Sequence, residues 1–338
     1  MDYDIFEPGN VTFQSGMTLQ NAFLAYKTYG TLNAQKSNVI VYPTWYGGQH
    51  SDNEWLIGNG MALDPPKYFI VVPNLLGNGF SSPSNTSPPF DQARFPRVTV
   101  YDNVQLQYQL LTQKFGIEKV ALVTGWSVGA QQAFQWAASY PDMVERIAPF
   151  AGTAKTWPHD VVTLEGVKAA LQADAAWNHG WYREPPTTGL RAVGRVCAGW
   201  GFSWAFYREE RYRTLGYHSL EDFLVGYWEG FFLKQDANNL LAMAWTWQHA
   251  NISANPGYNG DFEKALRSIK ARAMVMPGRH DLHFPPEESE YEAKLIPNAI
   301  LRPIESIWGH AVGAGVNPAD TTFIDQSLKE LLSQQVAF

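Results

Sequence analysis

The chain has 338 residues, 45% hydrophobic and 14% aromatic, which is enough apolar material for one large core or a core plus a modest subdomain and excludes a disordered chain. Its 25 Lys and Arg against 32 Asp and Glu give a formal charge of −7 with no block of like charges, which argues against nucleic acid as a partner. A single cysteine, Cys197, excludes an internal disulfide and a cysteine-built zinc site.

The opening "MDYDIFEPGN" lacks the basic start and apolar run of a secretory signal. No window approaches the roughly 18 uninterrupted apolar residues of a membrane span. The expectation is a cytoplasmic protein that does not engage a membrane. Residues 10–30 carry β-formers around a Ser-Gly turn and predict an antiparallel hairpin at a sheet edge. Short apolar runs ending in turn residues follow: "NVIVYPT" (38–44), "YFIVVPN" (68–74), "KVALVTG" (119–125), "RIAPFAG" (146–152), "RAMVMPG" (272–278) and "AILRPI" (299–304). Runs of this kind suit strands buried on both faces, and helix-like stretches at 101–115, 128–140, 287–295 and 321–334 fall between or after them. The alternation predicts a largely parallel sheet flanked by helices.

Between about 155 and 268 the strand signals stop and tryptophan, tyrosine and helix formers take over. The organisation expected is a core of 1–154 and 269–338 with a helical lid insertion at 155–268. "GWGFSWAFYREERYR" and "LVGYWEGFF" hold too many large aromatics for a solvated loop, and predict a roof over the main domain.

In "VALVTGWSVGAQQAF" a buried-strand run passes through Gly-x-Ser-x-Gly into a helix whose small residues Ala130 and Ala133 allow close packing. This is the sequence form of a nucleophile elbow: the turn lifts the hydroxyl of Ser127 out of the sheet, and the helix N-terminus aims backbone N–H groups at a developing oxyanion. A serine nucleophile needs a base and an orienting acid, which in α/β-hydrolases follow it in the order acid, then histidine. Asp281 lies in the turn after "AMVMPG", and His310 in "ESIWGHAVG" after the next strand, each just past a strand's carboxyl end. Glu305 is the rival acid, but it lies too close to His310 in sequence to occupy a separate strand end. The oxyanion hole is expected from the backbone N–H groups of Val128 and of Trp45 in "YPTWYGG". Trp126 is expected to shape the acyl site, and His50, after the same turn, to line the pocket. His280 and His283 flank Asp281, but no third ligand at suitable spacing accompanies them, and neither a metal nor a cofactor is expected.

With these residues in place, the chain resembles the homoserine O-acetyltransferase family of the α/β-hydrolase superfamily over most of its length. "PTWYGG", "PNLLGNGFSSPSN", "FPRVTVYDNV", "GWSVGAQQAFQWAASYPDMV", "FFLKQDANNLLAMAWTWQHANI" and "DLHFPP" carry the likeness. It implies catalytic roles for Ser127, Asp281 and His310, the α/β-hydrolase fold with a helical lid, and a homodimer formed through that lid. It also suggests Arg195, in "GLRAVGRV", as the match to a lid arginine that contacts the substrate's carboxylate.

One departure bears on substrate. The acetyltransferases usually follow the catalytic histidine with an aspartate that holds homoserine's ammonium group, and here that position is Ala311. A methyl group cannot hold a cation. The expected function is therefore hydrolysis of a small, fairly hydrophobic carboxylic ester through an acyl-enzyme, with acyl transfer from acyl-CoA to a small alcohol as the alternative.

Overall fold

The apolar runs become the strands of one sheet in the computed structural model, which describes residues 2–86 and 88–335. In chain order the elements are β1 (Asp4–Thr12), β2 (Thr18–Tyr29), β3 (Val39–Val41), β4 (Phe69–Pro73), α1 (Val100–Gln109), β5 (Leu122–Trp126), α2 (Val128–Ser139) and β6 (Arg146–Phe150). There follow α3 (Pro158–Gln172), α4 (Thr187–Gly201), α5 (Trp204–Arg208), α6 (Leu220–Phe223), α7 (Gly230–Phe232), α8 (Ala237–Gln248) and α9 (Phe262–Arg267). The chain closes with β7 (Arg272–Val275), α10 (Pro286–Leu295), β8 (Ala299–Leu301) and α11 (Pro318–Ser333). Among the described residues the sheet has eight strands in the order β1-β2-β4-β3-β5-β6-β7-β8. β2 pairs antiparallel with both β1 and β4, and every pairing from β4 to β8 is parallel. This is the α/β-hydrolase architecture.

The central strands are apolar at every position because helices cover both of their faces. Val39 and Val41 of β3 pack with Val71, Val123 and Val275 on one side, whereas Ile40 packs with Ile70, Leu122 and Met274 on the other. Each such side chain, fully buried, contributes about 1.5–3 kcal/mol. The edge hairpin starts at Asp4, earlier than its sequence signal, because β1 is mostly exposed and has no apolar run to announce it. The motif "VTVYDN" is a capping box, in which Thr99 Oγ1 accepts from the Asp102 N–H at 3.1 Å and Asp102 accepts from the Thr99 N–H at 2.9 Å.

Between β6 and β7 the chain leaves the sheet for α3 to α9. Leu164, Val167 and Leu171 of α3 pack with Leu190, Val193 and Cys197 of α4 and with Leu240, Met243 and Trp247 of α8, above Tyr46, Leu75 and Val128 of the sheet rim. Burial pushes the Cys197 thiol up to about 12, so it behaves as a small apolar side chain. The aromatics cluster as expected, with Phe202 stacked on Phe206 at 4.1 Å and meeting Trp228 edge-on at 5.7 Å. Trp204 departs from that pattern: it is exposed, with the Arg208 guanidinium 4.6 Å from its ring centroid. The "DANN" sequence ties the lid down, as Asp236 caps α8 and accepts from Ser84 Oγ at 2.9 Å and Tyr182 Oη at 2.6 Å.

Candidate active site

β5 ends at Trp126 and α2 begins at Val128, so Ser127 alone makes the turn between them. Its φ of 57° and ψ of −124° are strained for an L residue. The flanking glycines are a steric requirement. A Cβ on Gly125 would lie 2.4 Å from the Gly129 carbonyl carbon, and one on Gly129 would lie 2.8 Å from the Pro43 carbonyl oxygen. The Ser127 N–H is held between the Phe150 and Ala151 carbonyls at 3.3 and 3.2 Å, which anchors the strained residue to the next strand.

The structure brings Asp281 and His310 to this serine. Ser127 Oγ donates to His310 Nε2 at 3.0 Å, and His310 Nδ1 donates to Asp281 Oδ2 at 2.8 Å. Asp281 Oδ1 accepts from the backbone N–H groups of His283 and Phe284 at 2.8 and 3.1 Å, which fixes the carboxylate's orientation. All three side chains are buried, so the chain of hydrogen bonds lies out of competition with bulk water. Glu305 instead forms an exposed ion pair with Arg279 at 2.7 Å.

The amides of Trp45 and Val128 have no protein acceptor among the described residues. Their spacing is fixed by Gln132, which sequence reading overlooked. Its buried Nε2 donates to the Thr44 carbonyl at 2.9 Å and to the Val128 carbonyl at 3.2 Å, joining the loop after β3 to the first turn of α2. Trp126 Nε1 donates to the His310 carbonyl at 3.0 Å, and its ring meets that of Trp45 edge-on at 4.6 Å.

A cavity of about 400 Å³ opens between the sheet rim and the lid, and Ser127, His310, Trp45 and Trp126 are in its wall. Most of the remaining wall is apolar, including Phe202, Trp228 and Phe231 from the lid and Ala311 beside the histidine. Two sequence expectations lie elsewhere. His50 is buried away from the cavity wall, with Asn74 Nδ2 donating to its Nδ1 at 3.2 Å and Asp2 3.4 Å from its Nε2, so it braces the glycine- and serine-rich loop. Arg195 is also outside the wall, pairing with Glu229 at 2.7 Å and Glu221 at 2.5 Å, because the helix face that carries it turns toward other lid carboxylates.

The wall also contains residues that the sequence did not assign to the pocket. His283 Nδ1 donates to Asp160 Oδ1 at 3.0 Å, and the His283 ring lies 4.9 Å from that of His310. Asp52 and Lys234 also reach the wall, although Asp52 already accepts from the Gln49 N–H at 2.8 Å. Asp160 sits more than a hundred residues from His283, so no local pattern could have paired them. Among the described residues, no cluster of three or more His, Cys, Asp or Glu is arranged to hold a metal ion, and no helix is long and apolar enough to cross a membrane.

Residues 38–311 match the family model described as the alpha/beta hydrolase fold. The chain is 41% identical to an ethyl acetate hydrolase of Pseudomonas veronii, over 98% of this chain and 95% of that protein. It is 31% identical to a homoserine O-acetyltransferase of Chlorobium chlorochromatii, over 90% of each. The solved structure of the acetyl esterase MekB superposes with a TM-score of 0.96 at 40% identity, covering 98% of this chain and 97% of that one. On its fold, its serine turn and these relatives, the chain belongs to the α/β-hydrolase family, in the group that holds homoserine O-acetyltransferases and esterases.

Proposed function

We propose that this protein is a serine carboxylic-ester hydrolase acting on small, fairly hydrophobic esters. The observation that carries the reading is the Ser127–His310–Asp281 hydrogen-bonded chain, opening into an aromatic cavity of about 400 Å³. Ser127 Oγ attacks the ester carbonyl while His310 Nε2 takes its proton, and Asp281 holds the imidazole in the tautomer that leaves Nε2 free to accept. The Trp45 and Val128 amides stabilise the oxyanion. His310 then protonates the departing alcohol, and water resolves the acyl-enzyme.

Two observations favour hydrolysis over transfer to homoserine. Ala311 puts a methyl group on the cavity wall where the resemblance has an ammonium-binding aspartate, and Arg195 is spent on lid carboxylates. The likeness to an ethyl acetate hydrolase at 41% identity and to the acetyl esterase MekB supports an ester substrate of acetyl size.

The test is to incubate the protein with p-nitrophenyl and ethyl esters of short acids, and separately with acetyl-CoA plus homoserine. Free acid from the esters with negligible O-acetylhomoserine is expected. Efficient transfer to homoserine would replace this reading with the acyltransferase one. Ser127→Ala abolishes turnover in either case, together with labelling by a fluorophosphonate.

A further inference from the structure

A second aspartate–histidine pair stands beside the first. His283 shares the cavity wall with Ser127 and His310, and its ring meets that of His310 edge-on, 4.9 Å away at 70°. Its Nδ1 is engaged by Asp160 from the lid helix α3, and its Nε2 has no protein partner among the described residues. Asp160 is 1% exposed and its Oδ2 has no hydrogen-bond partner among the described residues, so its side-chain hydrogen bond goes to His283. Burying such a pair among Trp247, Phe284 and Trp200 costs desolvation that an apolar side chain of the same size would avoid. The polarity matches that of the neighbouring pair: with Nδ1–H directed at a carboxylate, Nε2 presents a lone pair.

We infer that His283, oriented by Asp160, positions the water that resolves the acyl-enzyme and thereby favours water over an alcohol as acyl acceptor. The inference rests on the ester-hydrolase reading and deepens it. The water directs one O–H at His310 Nε2 and the other at His283 Nε2, leaving an oxygen lone pair to attack the acyl carbonyl. His310 takes the first proton as the new C–O bond forms. The tetrahedral intermediate then breaks its bond to Ser127 Oγ, which recovers the proton from His310, and the free acid leaves. His283 neither gains nor loses a proton. An alcohol has a single O–H, which His310 uses, and it leaves His283 Nε2 unpaired against an apolar group.

The experiment is partitioning. Wild type, His283→Phe and Asp160→Asn are given p-nitrophenyl acetate in the presence of methanol, and acetate and methyl acetate are quantified. Both products come from one acyl-enzyme, so their ratio does not depend on how much protein is active. Each variant is expected to shift the ratio toward methyl acetate by roughly fivefold to tenfold, the weight of one hydrogen bond. Asp160→Asn acts by letting an amide N–H face Nδ1, which makes Nε2 a donor. His283→Gln, which restores an acceptor oxygen, recovers part of the shift. Ratios equal to wild type in the variants overturn the inference, and if His283→Phe fails to fold, Asp160→Asn decides it. Absence of a p-nitrophenol burst and of Ser127 labelling in the wild type would instead defeat the hydrolase reading, whereas a normal burst with unchanged ratios sinks only the water site.

Discussion

The indole N–H of Trp126 donates to the backbone carbonyl of His310 at 3.0 Å, joining the residue before the candidate nucleophile to the residue that bears its base. The contact ties the end of β5 to the turn at Gly309–Gly313, which carries the imidazole and is far away in sequence. Gly313 has to be glycine beside it, since a Cβ there would lie 2.2 Å from the Trp126 ring. Trp126→Phe keeps most of the packing but leaves that carbonyl without its donor. We expect kcat to fall about fivefold to tenfold, the effect of one buried hydrogen bond, with KM little changed. An unchanged kcat in steady-state assays would show that the histidine is placed without it.

Asp281→Asn tests the orienting role directly. The amide can donate to Nδ1 and trap the tautomer whose Nε2 carries a proton, so a kcat loss on the order of 10⁴ is expected. Circular dichroism should show the fold intact, because the His283 and Phe284 amides retain an acceptor oxygen in the amide. A loss under about tenfold would move the orienting role to another carboxylate.

Gln132→Leu should separate the proposed oxyanion amides, Trp45 and Val128, from the rest of the site. The side chain is buried and its Oε1 also accepts from Gln107 Nε2 at 2.7 Å, so some loss of thermal stability accompanies the change. The kinetic signature expected is a fall in kcat of about tenfold or more at similar KM, since the amides act chiefly on the charged intermediate. A rise in KM alone would mean that Gln132 supports substrate binding.

Arg195→Ala asks whether the lid arginine touches substrate. Its guanidinium is held above its ordinary range by Glu221 and then Glu229, and it is outside the cavity wall. The expected KM for small acetate esters is within about twofold of wild type, with a modest loss of lid stability seen in thermal melts. A large KM effect would restore Arg195 to the substrate site.

Glu292 makes stability pH-dependent. Burial, partly offset by the Ala154 N–H and Trp157 Nε1, pushes its carboxyl up to about 8, while in the unfolded chain it titrates near 4.3, roughly the free-glutamate value. Between those values the folded state binds the extra proton. Its stabilising contribution is therefore full below the unfolded value and is lost as pH rises toward about 8. Glu288, also pushed up to about 8 by burial and then by Asp160 and Asp281, adds in the same direction. Glu292→Gln should be more stable than wild type at pH 8 by about 1–3 kcal/mol, and the two should converge near pH 5. Denaturant melts at both pH values check this, and parallel curves would contradict it.

The order of strands and helices, and the positions of Ser127, Asp281 and His310 at strand ends, were legible in the sequence. Their signals are local: apolar runs of strand length, glycines where a Cβ would strike backbone, and side chains in the loops that follow β7 and β8. A helical segment between β6 and β7 was legible too, through the loss of strand patterning and the density of aromatics. Tertiary structure alone decided the rest. His50 and Arg195 resembled pocket residues until the packing gave them other partners, Asn74 and Asp2 for one and Glu221 and Glu229 for the other. Asp160 and His283, and the two carbonyls bridged by Gln132, meet only because α3 folds over the sheet and α2 packs against the end of β3. Sequence fixes which groups a chain carries and the local conformation each can adopt. Which buried polar atoms find one another depends on the packing of distant segments, where the cost of an unpaired group is imposed by the whole fold.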